Sequence, residues 1–310
     1  MNSNTIQTMD KEKLNSPNNV EALKLLFTPV VFVSVALAVK HPWLSVLCWS
    51  FFFTQTFILL HECGHLNFFK GKRLNFFGGY IFGFLSFIPF LSWMHMHNLH
   101  HRWTGWRDKD PTTERTVGPP KIVILQGVVN VCWWMFIPIF YLVYLLSNYW
   151  NVFKIKRFVR VQILKAIQWE MLLFVFGYFL LFSMVDFSKY AVILWGFFLS
   201  LIWKELIILT QHTHVEIPIS DGQNVRPISF RDQVKYTRSF YVSKFFEKWF
   251  LFNFNMHEAH HAQPGLPAYY LGEVELNLPR NSYWNWFKQA KFMKGVDFIF
   301  KTSKHTGKKF

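Results

Sequence analysis

The sequence predicts an all-α integral membrane protein, and three observations support this prediction. Of its 310 residues, 52% are hydrophobic and only 16% are charged, which is unusual for a soluble globular chain. The apolar residues form runs long enough to cross a bilayer as helices. Eight of the 13 histidines fall into three windows of five residues. We therefore expect four spanning helices, additional interfacial helices and a cytoplasmic cap that holds a His-rich di-metal site.

Four apolar runs predict the spanning helices, arranged as two antiparallel hairpins. Residues 23–39 and 43–60 form the first hairpin, because only Lys40, His41 and Pro42 separate them. Residues 171–185 and 190–209 form the second hairpin around a four-residue turn. Each run approaches the length of about 20 residues that a helix needs to cross the hydrocarbon core.

Two further apolar runs are expected to lie in the membrane interface. Residues 75–91 contain three glycines and Pro89, and residues 122–146 contain Pro138 near their middle. These residues are unfavourable inside a regular spanning helix. The first run is predicted to be interfacial, and the second interfacial or re-entrant. A protein with six spans remains the alternative.

Lysine and arginine set the expected orientation. The chain carries 33 Lys and Arg against 18 Asp and Glu, for a net charge of +15. In a membrane protein such an excess lies in cytoplasmic loops beside anionic lipid. Basic residues cluster at 70–73, 102–121 and 151–168, so these segments are expected on the cytoplasmic side.

The sequence contains no nucleic-acid-binding motif, and we expect no nucleic-acid partner.

Composition divides the chain into three parts. Residues 1–20 are polar and rich in asparagine, without the features of a removable signal peptide, and predict a disordered cytoplasmic tail. Residues 21–275 contain every apolar run and all three His windows, and predict the membrane domain. Residues 276–310 predict a basic cytoplasmic C-terminal tail.

The three His windows, called here the His boxes, have the spacing of metal ligands on helices. Spacings of three and four residues place the imidazoles of one box on a single helix face. Isolated polar residues at helix ends are the alternative, but three such clusters beside apolar runs favour function, since ionisable groups there are costly. The boxes are HECGH with His61 and His65, HNLHH with His97, His100 and His101, and HEAHH with His257, His260 and His261.

The number of imidazoles indicates two metal ions. Eight histidines exceed what one tetrahedral zinc can use, and imidazole also suits iron and copper. If the reaction attacks an unactivated C–H bond, it needs an O2-derived oxidant, which redox-inert zinc cannot supply. Two irons are then expected. The sequence has no dinucleotide-binding, haem-attachment or Cys-rich cluster motif, so electrons are expected from another protein.

A fourth element, QHTH, follows the last predicted span and offers a further ligand. His212 and His214 are both candidates, and His214 is preferred because it lies farther from the hydrocarbon edge. Acidic residues in or beside the boxes are candidates to orient the imidazoles, since metal-bound His usually donates its second N–H to an acceptor. These acids are Glu62, Asp108, Asp110 and Glu258.

The boxes and their flanks resemble the membrane fatty acid desaturase family. HECGH, HNLHHRWTGWRDKDP, QHTHVEIP and NMHEAHHAQPGLP are similar to that family's ordered HxxxH and HxxHH motifs, and most similar to the acyl-lipid omega-type branch. The resemblance covers roughly residues 23–271. It implies a non-haem di-iron centre with the ligands His61, His65, His97, His100, His101, His257, His260 and His261, completed by His212 or His214.

The resemblance also implies a reaction and its partners. We expect O2-dependent desaturation of a long-chain fatty acyl group, linked to lipid, CoA or a carrier, with electrons from a ferredoxin or cytochrome b5. A net charge of +15 suits an acidic donor. Lipid or carotenoid hydroxylases and ketolases share the motifs and remain alternatives. A membrane protein that stores or transports metal is a more distant alternative. Transport would place ionisable ligands along the spans, and the predicted spans are almost free of them.

Overall fold

The computed structural model describes residues 16–184, 190–274 and 281–309, which form a mostly helical chain. The described residues form two compact units: unit 1 comprises residues 16, 98–140, 205–274 and 281–309, and unit 2 comprises residues 17–97, 141–184 and 190–204. The sheet in the described residues is one parallel pair of short strands, β1 (Phe240–Tyr241) and β2 (Asn281–Ser282). The all-α prediction is confirmed.

The described α-helices are, in chain order, α1 (Asn19–Ala38), α2 (Pro42–Gly64), α3 (Lys72–Ser86), α4 (Phe90–Trp103), α5 (Val123–Trp134), α6 (Ile139–Leu145), α7 (Val152–Ile155), α8 (Val161–Met184), α9 (Ala191–His212), α10 (Lys244–Trp249), α11 (His257–Ala262), α12 (Ala268–Leu271), α13 (Tyr283–Lys291), α14 (Gly295–Phe300) and α15 (Ser303–Thr306). A π-helical turn, Leu146–Trp150, continues α6, and short 3-10 helices occupy Glu114–Thr116 and Phe230–Tyr236.

Four helices are long and apolar enough to cross a membrane: α1, α2, α8 and α9. They overlap the four predicted spans, and the largest difference in bounds is at α8, which begins at Val161, ten residues before the predicted run 171–185. Many of their apolar side chains are exposed, as at the lipid-facing surface expected of a spanning helix. The predicted turn at 186–189 lies outside the described residues.

The two runs with proline and glycine fold as bent helix pairs. Helices α3 and α4 meet at 99°, and α5 meets the helix Ile139–Trp150 at 112°. Pro89 and Pro138 lie at the two breaks, where a residue without N–H cannot continue the helix ladder. If each pair is one broken span, the count rises from four spans to six.

The C-terminal residues belong to unit 1. Trp286 of α13 and Phe298 of α14 are buried, and Phe298 stacks on Trp133 with ring centroids 4.8 Å apart. Composition predicts a separate tail at 276–310, but within 281–309 these aromatic side chains bury apolar surface against α5. Of the predicted N-terminal tail, residues 1–15 lie outside the described residues. Asn18 caps α1 by accepting from Val20 N–H at 2.9 Å.

Candidate metal centre

Three box histidines meet in unit 2 and are called here the trio. His61 lies on the last turn of α2, His65 is its C-cap, and His97 lies on α4. Ring centroids of His61 are 4.7 Å from those of both His65 and His97. The Nε2 atoms of His65 and His97 are 3.1 Å apart. The first box and the start of the second therefore present their imidazoles to one another.

An acid and an indole hold the trio in place. His61 Nδ1–H donates to Glu62 Oε1 at 2.9 Å, so its Nε2 is the atom available for a metal. Trp93 stacks on His97 with centroids 4.2 Å apart. Trp93 fits here because residue 64 is glycine: a Cβ at Gly64 would lie 2.1 Å from the indole ring.

Four other histidines meet in unit 1 and are called here the quartet: His100, His212, His257 and His261. One ligand atom from each lies within 4.8 Å of all the others. Nε2 of His257 is 2.8 Å from Nε2 of His212 and 3.0 Å from Nε2 of His261. The four rings come from the second box, the third box and the last turn of α9.

Three of these imidazoles are oriented through Nδ1. His100 donates to Asp110 Oδ2 at 2.7 Å, and His261 donates to Gln233 Oε1 at 2.9 Å. His212 donates to a backbone carbonyl, Tyr236 O, at 3.2 Å. Each of these rings is thereby left with an Nε2 lone pair, and the Nε2 atoms of His212 and His261 lie 2.8 and 3.0 Å from Nε2 of His257. The donor set and its orientation fit a bound transition-metal ion.

The electrostatics around the quartet favour the charged form of Asp110 and the neutral form of His261. Burial alone raises the pKa of Asp110, but the neighbouring His100 and the backbone N–H of Thr112 outweigh it, so the pKa lies below the usual range. Burial, followed by the neighbouring imidazoles, holds the pKa of His261 well below its ordinary value. Neutral imidazole is the form that binds a metal.

The remaining box histidines, His101 and His260, form a pair within unit 1. Their Nε2 atoms are 3.0 Å apart, and their ring centroids 4.7 Å. Gln233 donates to the backbone carbonyl of His101 at 2.6 Å while it accepts from His261. One buried amide therefore contacts both the second and the third box.

The structure brings His212, and not His214, into the quartet. His214 lies two residues beyond the end of α9 in a left-handed conformation, with φ of 64°. Its Nδ1 donates to Lys301 O at 3.0 Å, and its Nε2 accepts from Thr306 Oγ1 at 2.8 Å. His214 therefore ties the chain after α9 to the C-terminal segment.

Of the four acids named from the sequence, two contact box imidazoles and two have other partners. Glu62 and Asp110 contact box imidazoles, whereas Asp108 accepts from the backbone N–H of Ser220 at 2.8 Å and from the Ser220 hydroxyl. The Glu258 carboxylate acts electrostatically on Arg238. Sequence reasoning missed Gln233 and the Tyr236 carbonyl, because neither carries a spacing or composition signal.

These features define a class: a helical membrane protein with clustered imidazoles that could hold metal. Comparison with known proteins identifies the family within that class. The family model described as "Fatty acid desaturase" matches residues 38–289, which is most of the chain. The chain belongs to the fatty acid desaturase family, whose members are oxidoreductases, and the resemblance drawn from the His boxes is confirmed.

Curated relatives agree with this assignment. The chain is 27% identical over 295 residues to an "sn-1 oleoyl-lipid 12-desaturase" of Picosynechococcus, covering 86% of this chain and 78% of that protein. It is 43% identical over 61 residues to a "Fatty acid desaturase" of Bacillus subtilis, covering 20% of this chain and 17% of that protein. A "Delta(12) fatty acid desaturase" of Mortierella isabellina is 32% identical over 114 residues, 32% of this chain and 28% of that protein. The last two matches thus span under a third of each relative's length.

Proposed function

We propose that this protein introduces a double bond into a long-chain fatty acyl group, using O2 and two irons held by the His boxes. The observation that carries the proposal is the quartet, whose Nε2 atoms converge because acceptors outside the boxes hold three of the rings by Nδ1. Family membership supplies the reaction class.

The proposed iron ligands are the eight box histidines and His212. The contacts of His214 to Lys301 and Thr306 support a structural role for it, so we revise the preference drawn from the sequence. The ligand set is His61, His65, His97, His100, His101, His212, His257, His260 and His261.

The protein's own groups supply orientation and a dry environment. When bound, paired irons supply the capacity to activate O2 for removal of hydrogen from an unactivated carbon. Asp110, Gln233 and the Tyr236 carbonyl each hold one imidazole proton at Nδ1, which keeps the opposite nitrogen directed at the metal. The box imidazoles of the quartet are buried, which excludes bulk water from the oxidising site.

The proposed substrate is an acyl chain on a membrane lipid. The support is the activity for which the Picosynechococcus relative is named, and this relative aligns over most of both chains. Helices able to span a membrane would give such a substrate access from the bilayer. CoA- or carrier-linked acyl chains are the other outcomes of a substrate test.

The proposed electron donor is a small acidic protein, a ferredoxin or cytochrome b5. The net charge of +15 would steer an acidic partner by long-range attraction. A Nostoc relative, 30% identical over 109 residues, is named "sn-1 acyl-lipid omega-3 desaturase (ferredoxin)".

By the positive-inside rule we propose that the boxes face the cytoplasm. Cysteines introduced at Lys70 and Lys109 should both label from that side, and opposite sidedness would contradict this orientation.

Heterologous expression followed by lipid and pigment profiling tests the reaction. We expect new unsaturated acyl methyl esters with the wild type and none with His257→Ala expressed at the same level. Unchanged fatty acids together with hydroxylated acyl chains or oxygenated carotenoids would instead assign a hydroxylase or ketolase.

A further inference from the structure

The two helix breaks share one feature: a side chain from elsewhere satisfies the backbone at each end of the break. A break leaves carbonyls at the end of one helix and N–H groups at the start of the next without helical partners. Near hydrocarbon, where water is scarce, each unsatisfied group is costly. The break between α3 and α4 lies in unit 2, and the break between α5 and α6 lies in unit 1 as far as Phe140.

At the first break, Glu170 of α8 caps the start of α4. Its Oε1 accepts from Phe90 N–H at 2.6 Å, and its Oε2 accepts from Leu91 N–H at 2.9 Å. At the end of α3, Tyr178 Oη–H donates to Phe84 O at 2.8 Å, as does Trp150 Nε1–H to Phe87 O at 2.8 Å. The carboxylate also complements the positive end of the α4 dipole.

At the second break, Glu205 of α9 has the equivalent position. Its Oε2 accepts from Phe140 N–H at 2.9 Å, at the start of α6. Lys291 donates to Trp133 O at the end of α5, and its Nζ lies over the rings of Trp133 and Phe136, 3.8 and 3.6 Å from their centroids. Carboxylates thus cap the N-terminal ends and donors cap the C-terminal ends at both breaks.

The two capped helices differ in what they carry. Helix α4 holds the whole second His box, whereas α6 and the π-helical turn after it contain no histidine. The first turns of α4 are further fixed by Ser92, whose hydroxyl donates to Tyr149 O at 2.7 Å, and by Trp93, which stacks on His97. A shift at the start of α4 would therefore move His97 against His61 and His65.

We propose that Glu170 is a positioning residue for the metal centre, acting through α4 on His97, and that Glu205 is its structural counterpart, which caps α6, a helix without histidine. This inference rests on the proposed function, because it assumes that His97 binds iron. It predicts that the two glutamates, which are equally buried and each cap the start of a helix, differ in their effect on metal binding.

The test compares Glu170→Gln and Glu170→Leu with Glu205→Gln and Glu205→Leu in the full-length protein purified in detergent. Glutamine keeps one acceptor oxygen, enough for one of the two N–H groups that Glu170 caps and for the single N–H that Glu205 caps, and leucine keeps none. Iron per folded chain, kcat, KM and thermal stability are measured for every variant. We expect Glu170→Leu to lose about half of the bound iron. Glu170→Gln should lower kcat about tenfold at unchanged KM, because a displaced catalytic group slows the reaction more than it weakens substrate binding.

Glu205→Leu should lose more thermal stability than Glu205→Gln, and both should keep wild-type iron and kcat per folded chain. Equal iron loss in the Glu170 and Glu205 series, or full iron and kcat in Glu170→Gln and Glu170→Leu, would overturn the proposal. If Glu170→Leu does not fold, Glu170→Gln decides the matter alone. The iron content of the variants can be compared without any assay of product. A wild type that binds iron but desaturates no lipid would therefore refute the proposed function, while the effect of Glu170 on iron binding could still be tested.

Discussion

The trio in unit 2 and the quartet in unit 1 are built from the same residue type in different ways. The trio comes from two helices close in sequence, and its nearest supports, Glu62 and Trp93, lie on those same helices. The quartet gathers rings from three distant helices, and its acceptors lie outside the boxes, at Asp110, Gln233 and the Tyr236 carbonyl. A cluster assembled over long sequence separation therefore depends on residues that no His motif contains, two of them in the 3-10 helix Phe230–Tyr236.

The largest expected effect is the loss of a ligand from either cluster. We expect His61→Ala in the trio and His257→Ala in the quartet each to abolish turnover and to lower bound iron, because a missing imidazole opens or empties a site. Iron analysis and product formation check both variants. Normal turnover in either one would remove that cluster from the active centre.

Substitution of His212 and of His214, which are two residues apart, tests which of the two binds the metal. His212→Ala should lose iron and activity, because its Nε2 faces His257 at 2.8 Å. His214→Ala should keep its iron and lose about 1–2 kcal/mol of stability, since the buried imidazole gives up two hydrogen bonds. Iron content and thermal unfolding of the purified variants separate the two roles. The reverse pattern would restore the preference for His214 drawn from the sequence.

A smaller effect is expected at the acid that orients His100. Asp110→Asn should weaken metal affinity about 10- to 100-fold, because the amide holds the Nδ1 proton less strongly than the carboxylate. Asp108→Asn is the matched control, since Asp108 contacts Ser220 and no imidazole. Competition with a chelator of known affinity measures both. Equal affinities for the two variants would show that the Asp110 contact does not tune the metal.

The smallest expected effect concerns the donor. At fixed donor concentration, activity should fall as ionic strength rises from about 0.05 to about 0.3 M, where the Debye length drops to roughly 6 Å. The net charge of +15 is the reason, since screening weakens attraction to an acidic partner. Steady-state rates across a salt series measure this. A rate that does not change with salt would argue for an uncharged donor.

Local patterns in the sequence located the four long apolar helices and the histidines that cluster, for a physical reason. Hydropathy and the i, i+4 spacing are properties of a single helix, so they can be read from the sequence without knowing how the helices pack. The choice between His212 and His214 depended on where α9 ends and the chain turns, at a left-handed residue that hydropathy does not mark. Gln233 orients His261 through a contact across 28 residues of sequence, which only the folded chain reveals.

The metal content of the purified, active protein tests the central claim most directly. Elemental analysis of wild type prepared without added metal, with turnover assayed on the same sample, should give about two irons per chain, because the boxes supply more imidazoles than one ion uses. Chelation should abolish activity, and iron should restore it. A preparation that is active with one zinc and no iron would contradict the account.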